Sequence, residues 1–112
     1  YATVIFNQSG LLSSDTYNYP NPFNNYRNEN TTIRYMLKNQ TSEGEFFIID
    51  ASGKVIYSKK LASSELEPGT HKFVWEGVND LGQKLSSGIY FGFIKLNSDI
   101  SKRLKIVIHN KW

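Results

Sequence analysis

The chain has 112 residues, a formal net charge of +3 and no cysteine, a length that suits one globular domain and leaves too little chain for two hydrophobic cores. No apolar run approaches the roughly 20 residues of a membrane-spanning helix, and the first residues lack a basic-then-apolar pattern, so we expect neither a transmembrane segment nor a signal peptide in this sequence. The mild basic charge permits acidic partners without requiring them, and the missing cysteines leave the cellular compartment open.

Residues 1–15 are predicted to be a linker or the end of a preceding domain, and residues 16–112 a folded domain. The chain opens with the β-favouring run YATVIF, which is followed by NQSGLLSSD, a composition typical of linkers. The opening run suits either the last strand of a preceding domain or an edge strand of this one. Because Tyr1 rather than Met comes first, we expect a fragment or a processed product.

A proline-containing segment, residues 17–23, comes next. Pro20 and Pro22 fix their own φ angles and favour extended conformations at Tyr19 and Asn21, so the segment should be stiff. Two interpretations of its aromatic side chains stay open. They either pack against the edge of the core or stack on a ligand such as a sugar or a peptide.

Strand-like runs then follow at short intervals with turn residues between them, which is the spacing of an all-β sandwich. In TTIRYML, the apolar residues Ile33, Tyr35 and Leu37 alternate with others and should share the buried face. The runs EFFIID and VIYS flank ASGK, which predicts a hairpin with Gly53 at the tight position and Asp50 bonded into the turn. Residues 61–68 suit a single irregular or helical turn.

The fold is expected to be organised around two strands within residues 69–96, which the densest turn signal of the chain joins. His71, Phe73 and Trp75 alternate with polar residues and Val74, and Trp75 is the predicted core anchor. Residues 89–96 are apolar on both faces, which suits either a central strand covered on both sides or a strand with one exposed apolar face.

The last predicted strand, residues 100–108, has one buried face and one mostly basic face. Its inward residues are predicted to be Leu104, Ile106 and Ile108. Lys102, Arg103 and Lys105 are its cations. A nucleic-acid site would need a longer basic stripe with aromatic residues, and cations on a terminal strand also protect an edge from aggregation, so we predict no nucleic-acid partner.

Catalytic, cofactor and metal sites are not predicted. The two histidines, His71 and His109, fall in separate strand patterns, and the sequence has no nucleophile elbow, phosphate loop or HExxH motif. Glu76, Asn79 and Asp80 offer oxygen ligands for calcium but lack the spacing of an EF-hand loop. Stabilisation of the turn is therefore the favoured role of these three side chains.

Six segments, in this order, resemble the C-terminal sorting domains of the bacterial type IX (Por) secretion system. They are YPNPF (19–23), TTIRY (31–35), IDASGKVI (49–56), the segment from GTH to WEG (69–77), SGIYF (87–91) and KRLKIV (102–107). Flagellar hook-capping Ig-like domains share the NPF, W-D-G and S-G-x-Y elements, so the basic and apolar tail is what favours the sorting family. Glu76 stands where the family usually has Asp, and Gly92 where an aromatic residue is common.

The resemblance implies an all-β fold, an Ig-like antiparallel β-sandwich of about seven strands, at the end of a larger secreted protein. It implies a non-catalytic sorting and attachment domain that directs this protein through the type IX system to the bacterial cell surface. The implied partners are the outer-membrane translocon, its shuttle and attachment proteins, and an N-terminal cargo domain of the same chain.

The resemblance also implies which residues matter. The expected sorting residues are Lys102, Arg103, Leu104, Lys105, Ile106 and Val107. The expected structural motif residues are Pro20, Asn21, Pro22, Phe23, Asp50, Gly53, Trp75, Gly77, Gly88 and Tyr90.

The terminal strand, rather than the NPF segment, is predicted to carry the sorting signal. It would peel from the sheet edge or present unpaired N–H and C=O groups for strand addition, while its cations steer the partner.

Two alternatives remain. The first is an Ig-like spacer or carbohydrate-binding module appended to a secreted enzyme, which would use the aromatic residues Tyr17, Tyr19, Phe23 and Tyr26. The second is an assembly domain like those of the hook-capping proteins.

Overall fold

A computed structural model describes residues 16–97, 99–101 and 103–110. The predicted linker at residues 1–15 therefore lies outside the described residues. Within them the chain forms eight strands and two short 3-10 helices. They are β1 (Tyr17–Tyr19), η1 (Asn25–Arg27), β2 (Thr31–Leu37), β3 (Gly44–Ile49), β4 (Val55–Lys60), η2 (Ser63–Leu66), β5 (Gly69–Trp75), β6 (Gly88–Leu96), β7 (Asp99–Ile100) and β8 (Leu104–Ile108).

The strands form two antiparallel sheets that pack as a sandwich. One sheet has three strands in the order β1–β2–β5, and the other has five, with β4–β3–β6 followed by β7 and β8 beside β6. Seven of the described strands have three or more residues and β7 has two. The prediction of an all-β, Ig-like antiparallel sandwich of about seven strands is confirmed.

The core lies between the sheets and follows the predicted alternation. Ile33, Tyr35 and Leu37 of β2 are all buried, as are alternate residues of β3, β6 and β8. Trp75 has 1% of its surface exposed, and its ring contacts those of Phe23, Tyr57 and Tyr90 at centroid distances of 6.0 to 6.4 Å. These aromatic contacts make Trp75 the core anchor that the sequence predicts.

Polar atoms of the buried aromatic residues find partners at the margins of the core. The indole Nε1–H of Trp75 donates to the Val78 carbonyl at 3.0 Å, and the Tyr90 hydroxyl donates to the Ser86 carbonyl at 2.8 Å. The Tyr35 hydroxyl donates to the Glu65 carbonyl at 2.8 Å, so η2 closes one end of the sandwich. Each bond removes the cost of an unsatisfied polar group in the interior.

The β3–β4 hairpin has the predicted turn chemistry. Gly53 has a φ of +91°, a conformation that favours glycine. The Asp50 carboxylate accepts hydrogen bonds from the Ser52 backbone and hydroxyl and from the Lys54 backbone. These bonds, the Ser52 hydroxyl first, lower the pKa of Asp50.

The long strand β6 resolves the open question about residues 89–96. Tyr90, Ile94 and Leu96 point into the core, whereas Ile89, on the opposite face, is 44% exposed. The apolar outer face of β6 is therefore left uncovered within the described part of the chain, and the strand is not covered on both sides.

The last predicted strand is divided into β7 and β8 by an irregular segment. Lys95 pairs with Ile100 and Gly92 pairs with Leu104, so the registers of β7 and β8 along β6 differ by one residue. Sequence alternation does not reveal this offset. Among the described residues, no helix is long and apolar enough to cross a membrane.

Candidate partner-binding site

Strand β8 carries most of the predicted sorting residues in the expected alternation. Leu104, Ile106 and Ile108 are buried against the core, and Val107 is half-buried on the opposite face. Arg103 and Lys105 are exposed. The sixth predicted residue, Lys102, lies outside the described residues. The side chains available to a partner are therefore those of the outward face, and the apolar side chains hold the strand in place.

The backbone edge of β8 is closed by residues 20–25, which we call the strap. In an antiparallel pair, alternate residues of a strand bond to opposite sides, and the outward groups of β8 belong to its odd-numbered residues. The Val107 N–H donates to Asn21 Oδ1 at 2.8 Å, and Asn21 Nδ2 donates to the Lys105 carbonyl at 2.8 Å. One side-chain amide thus satisfies a donor and an acceptor of the strand.

Phe23 continues the pairing one step along the strap. Its N–H donates to the Val107 carbonyl at 3.1 Å, and its carbonyl accepts from the His109 N–H at 3.0 Å. The pair Phe23 and Ile108 forms a parallel bridge, with the Phe23 ring buried against Trp75. The strap therefore acts as a short parallel partner outside β8.

The strap's sequence explains why a side chain replaces the backbone in this pairing. Pro20 and Pro22 have no N–H to donate, so the amide group of Asn21, between them, supplies both a donor and an acceptor. The same prolines make the strap a poor template for a further strand, because proline removes ladder hydrogen bonds.

This geometry corrects one of the two alternatives predicted for β8, that it presents unpaired N–H and C=O groups to a partner. The other alternative, that the strand peels from the sheet edge, stays a prediction. The Val107 N–H and C=O, the Lys105 C=O and the His109 N–H are already bonded to the strap. Strand addition to β8 would first require displacement of residues 20–25. In the folded state, β8 therefore exposes its outward side chains rather than free backbone groups along the Lys105–His109 edge.

A buried amide network extends the strap to the end of the described chain. Asn25 is 1% exposed, and its Nδ2 donates to the carbonyls of Gly77 and Leu85 at 2.8 and 2.9 Å. Asn110 Nδ2 donates to Asn25 Oδ1 at 2.8 Å, and Asn110 also bonds to Ser87. The segment after β8 is thus held by the same strap that closes its edge.

Gly77 makes room for this network. It has a φ of +73°, and a Cβ atom built there would lie 2.7 Å from the Cβ of Asn25. No side chain fits that gap without movement of the backbone. Of the predicted structural motif residues, Asn21 thus bonds to β8 directly, and Gly77 makes room for Asn25 of the same strap. The Gly88 residue pairs with Ile108 at the start of β6.

The opposite edge of the five-stranded sheet is closed in a similar way. On β4, the Ser58 N–H donates to Asp80 Oδ1 at 2.9 Å, and the Asp80 N–H donates to the Ile56 carbonyl at 3.1 Å. One carboxylate and one amide group therefore blunt this edge, which limits pairing with other chains.

The loop considered for calcium uses its oxygens for the turn. Asn79 Oδ1 accepts from the N–H groups of Leu81 and Gln83, both at 2.9 Å, while Asp80 caps β4. Among the described residues, no group of three or more His, Cys, Asp or Glu side chains is placed to hold a metal ion. The geometry favours the turn-stabilising role.

The aromatic residues in and directly after the proline-containing segment differ in burial. Phe23 is buried, as the core interpretation predicts, whereas Tyr17, Tyr19 and Tyr26 are exposed. The Tyr17 and Tyr19 rings lie 5.7 Å apart on β1, and the Arg34 guanidinium lies 5.3 Å from the centroid of the Tyr17 ring. A ligand-stacking role is thus left only to the tyrosines.

The roles of Asn25 and Asn110 were not predicted from the sequence, and neither was any element within residues 24–30. The structure places η1 there, with Asn24 and Asn25 buried. The available signal was the run of amides around NPF, since asparagine side chains readily replace backbone groups in irregular segments.

Comparison with known proteins agrees with this architecture. The FlgD Ig-like domain family matches residues 23–110. No curated protein matches the chain. Among solved structures, the chain is similar to the dimeric latent PorU of Porphyromonas gingivalis, with a TM-score of 0.67 and 22% identity over 86% of this chain and 9% of PorU.

Two further solved structures share the fold. PorZ, described as an essential surface component of the type IX secretion system of P. gingivalis, has a TM-score of 0.58 and 22% identity over 86% of this chain and 12% of PorZ. FlgD of P. aeruginosa has a TM-score of 0.57 and 16% identity over 87% of this chain and 69% of FlgD. The chain thus spans about a tenth of PorU and PorZ. Because the family match extends over residues 23–110, the chain belongs to the FlgD Ig-like domain family.

Proposed function

We propose that the chain is a non-catalytic sorting and attachment domain that directs a larger bacterial protein through the type IX secretion system to the cell surface. FlgD Ig-like domains are non-catalytic. Two of the similar structures, PorU and PorZ, carry this fold, and the PorZ structure is named for its part in type IX secretion. The partners in this proposal are the outer-membrane translocon and its shuttle and attachment proteins.

The observation that carries the proposal is the outward basic face of β8. Lys105 is exposed on β8 and Arg103 is exposed directly before it, whereas the apolar residues of the strand are anchored in the core and its backbone edge is closed. A partner that binds the folded domain can contact these charged side chains without unfolding it. Complementary charge raises the rate and specificity of such encounters.

The first experiment joins the whole 112-residue chain to the C-terminus of a periplasmic reporter in a bacterium that has the type IX system. We expect the reporter at the cell surface or in the medium. Retention of a folded reporter in the periplasm would contradict the proposed function.

A second experiment tests the charges. Lys102, Arg103 and Lys105 are changed together to Ser, and a control changes the exposed residues Lys38, Lys54 and Lys72 to Ser, so that both variants lose three positive charges. Slower export of the first variant alone supports recognition through β8. Export of the folded first variant at the wild-type rate would remove charge steering from the mechanism.

A spacer or carbohydrate-binding module remains the second candidate, and the exposed Tyr17 and Tyr19 rings beside Arg34 favour it. Exposed aromatic rings suit the apolar faces of sugars. A glycan array with the whole chain tests this candidate, with Tyr17→Ala and Tyr19→Ala as the control. An absence of binding would remove the carbohydrate-binding role.

A further inference from the structure

The outer face of the five-stranded sheet is unusually apolar for a surface that the other described residues leave open. We call six of its residues the apolar face. They are Phe47, Ile49, Ile89, Phe91, Phe93 and Val107. Side chains of these residues alternate with the buried ones along β3, β6 and β8, so they point away from the core.

Strand register brings the apolar face together as adjacent pairs. Phe47 is opposite Phe93, Ile49 is opposite Phe91, and Ile89 is opposite Val107. The rings of Phe47 and Phe93 stack with centroids 5.4 Å apart and an angle of 23° between planes. The result is a continuous apolar surface across three strands.

Positive charges border this surface. Lys60, Lys95, Arg103 and Lys105 are exposed on the same side of the sheet, and Glu45 is the carboxylate that lies among them. The Arg103 guanidinium lies 4.5 Å from the centroid of the Phe91 ring. These four cations and one carboxylate sum to a local charge of +3. The ion pair found among the described residues, Lys59–Glu65, involves none of them.

We propose that the apolar face docks a folded partner protein whose own surface is apolar and bordered by carboxylates. Contiguous apolar patches with polar rims mark interaction sites, because a soluble domain otherwise has no reason to keep them open to water. The inference rests on the proposed function, in which the partner belongs to the translocon or its attachment machinery. It adds that β3 and β6 are part of the recognition surface with β8.

Charge argues against a second copy of this chain as the occupant. A symmetric dimer through this face would bring two surfaces of the same sign together, and like charges across an interface oppose association. A lipid surface suits apolar side chains that protrude, whereas Phe47, Phe91 and Phe93 are half-buried and packed on one another or under Arg103. A face whose side chains pack on one another instead matches another protein surface, as in the packing of one sheet on another.

The test compares three variants of the whole chain joined to the periplasmic reporter. Ile89→Glu places a negative charge within the apolar face, and Ile89→Lys breaks the same apolar contact with a positive one. Val74→Glu is the matched control, because Val74 is 49% exposed on the outer face of the other sheet and Ile89 is 44% exposed.

We expect Ile89→Glu to lower the export rate by about tenfold, as truncation of a central interface residue does. Ile89→Lys should lower it less, because it still suits carboxylates on the partner, and Val74→Glu should leave it unchanged. Thermal unfolding verifies that each variant is folded. Ile49→Glu on β3 replaces Ile89→Glu in the test if the latter does not fold.

The outcomes separate this inference from the proposed function. A wild-type reporter that stays in the periplasm contradicts the proposed function itself. Wild-type export together with full export of folded Ile89→Glu overturns the docking face alone.

Two further measurements on the whole chain test the other occupants. A wild-type dimer in sedimentation that Ile89→Glu dissociates would assign the face to a second copy. Flotation with phosphatidylglycerol vesicles that Ile89→Glu abolishes would assign it to lipid. Either result would overturn the protein partner, whereas a monomer that leaves the vesicles unbound agrees with it.

Discussion

The two faces of the five-stranded sheet have similar residues but opposite surroundings. On β6, the inward side chains of Tyr90, Ile94 and Leu96 are buried, whereas the outward side chain of Ile89 is 44% exposed. Strand formation favours apolar residues on either face, but the three-stranded sheet covers only one of them. The inner face therefore determines stability, and among the described residues the outer face has no second sheet packed on it.

The largest expected effect on stability lies in the core between the two sheets. Trp75→Ala removes the ring that contacts Phe23, Tyr57 and Tyr90, so we expect a loss of about 3–5 kcal/mol in the free energy of unfolding. Urea unfolding measures it, with the exposed neighbour Val74→Ala as the control. A Trp75→Ala melting temperature within about 2 °C of wild type would contradict the buried position.

A smaller effect is expected where the strap meets the loop after β5. Gly77→Ala forces a Cβ to within 2.7 Å of the Asn25 Cβ at a φ of +73°. We expect a loss of about 2–3 kcal/mol, because both backbone strain and overpacking contribute. Gly82→Ala is the control, since Gly82 has a φ of +80° but nothing within 4 Å. It should cost about 1 kcal/mol. Equal losses for the two variants would show that Asn25 is not packed against Gly77.

Alkaline pH should destabilise the core through Tyr35, which is buried on β2 of the three-stranded sheet. Burial, and secondarily the negative charge of Glu65, raises the pKa of the Tyr35 hydroxyl above its ordinary value of 10.0. The pKa of Tyr35 is higher in the folded than in the unfolded state. The contribution of its protonated hydroxyl to the free energy of unfolding is therefore complete below about pH 10 and is lost as pH rises further.

Urea unfolding at about pH 9 and about pH 11 measures the change, with Tyr35→Phe as the control. Tyr57, whose pKa is also raised by burial and by Asp80 and Glu76, is present in both proteins and cancels. An alkaline loss of the same size in Tyr35→Phe would contradict the assignment to Tyr35.

The smallest expected effect is on the outer face. Ile89→Ala should change the free energy of unfolding by no more than about 0.5 kcal/mol, since the side chain is largely exposed. Ile94→Ala, which truncates the same residue type on the inner face of β6, should cost about 2–5 kcal/mol. Similar losses for the two variants in urea unfolding would remove the distinction between the faces.

Much of the fold could be predicted from local patterns. Alternation at Ile33, Tyr35 and Leu37 identified the buried side of β2, and the Asp50 and Gly53 chemistry identified the β3–β4 turn. Both signals act between residues that are close in sequence. Apolar character on both sides of β6 was also visible, but a sequence does not state which side another sheet covers.

The closure of β8 could not be predicted in the same way. Asn21 bonds to a carbonyl 84 positions away, and Asn25 bonds to Asn110 over 85 positions. An isolated asparagine leaves no periodic pattern in the sequence, and the packing of the whole sandwich determines which group its side-chain amide bonds to. The expectation of an open terminal edge failed for this reason.

The strap holds the edge of β8 closed, and we propose that a partner therefore contacts the outward side chains of the strand. Hydrogen exchange of the Val107 amide in the whole chain tests this claim most directly, because that N–H faces Asn21 Oδ1 at 2.8 Å and points away from β6. We predict slow exchange in the wild type and roughly tenfold faster exchange in Asn21→Ala, which corresponds to the loss of about one hydrogen bond. Asn21→Asp, which keeps the acceptor, should preserve the protection. Fast exchange of Val107 in the folded wild type would show an open edge and contradict the account.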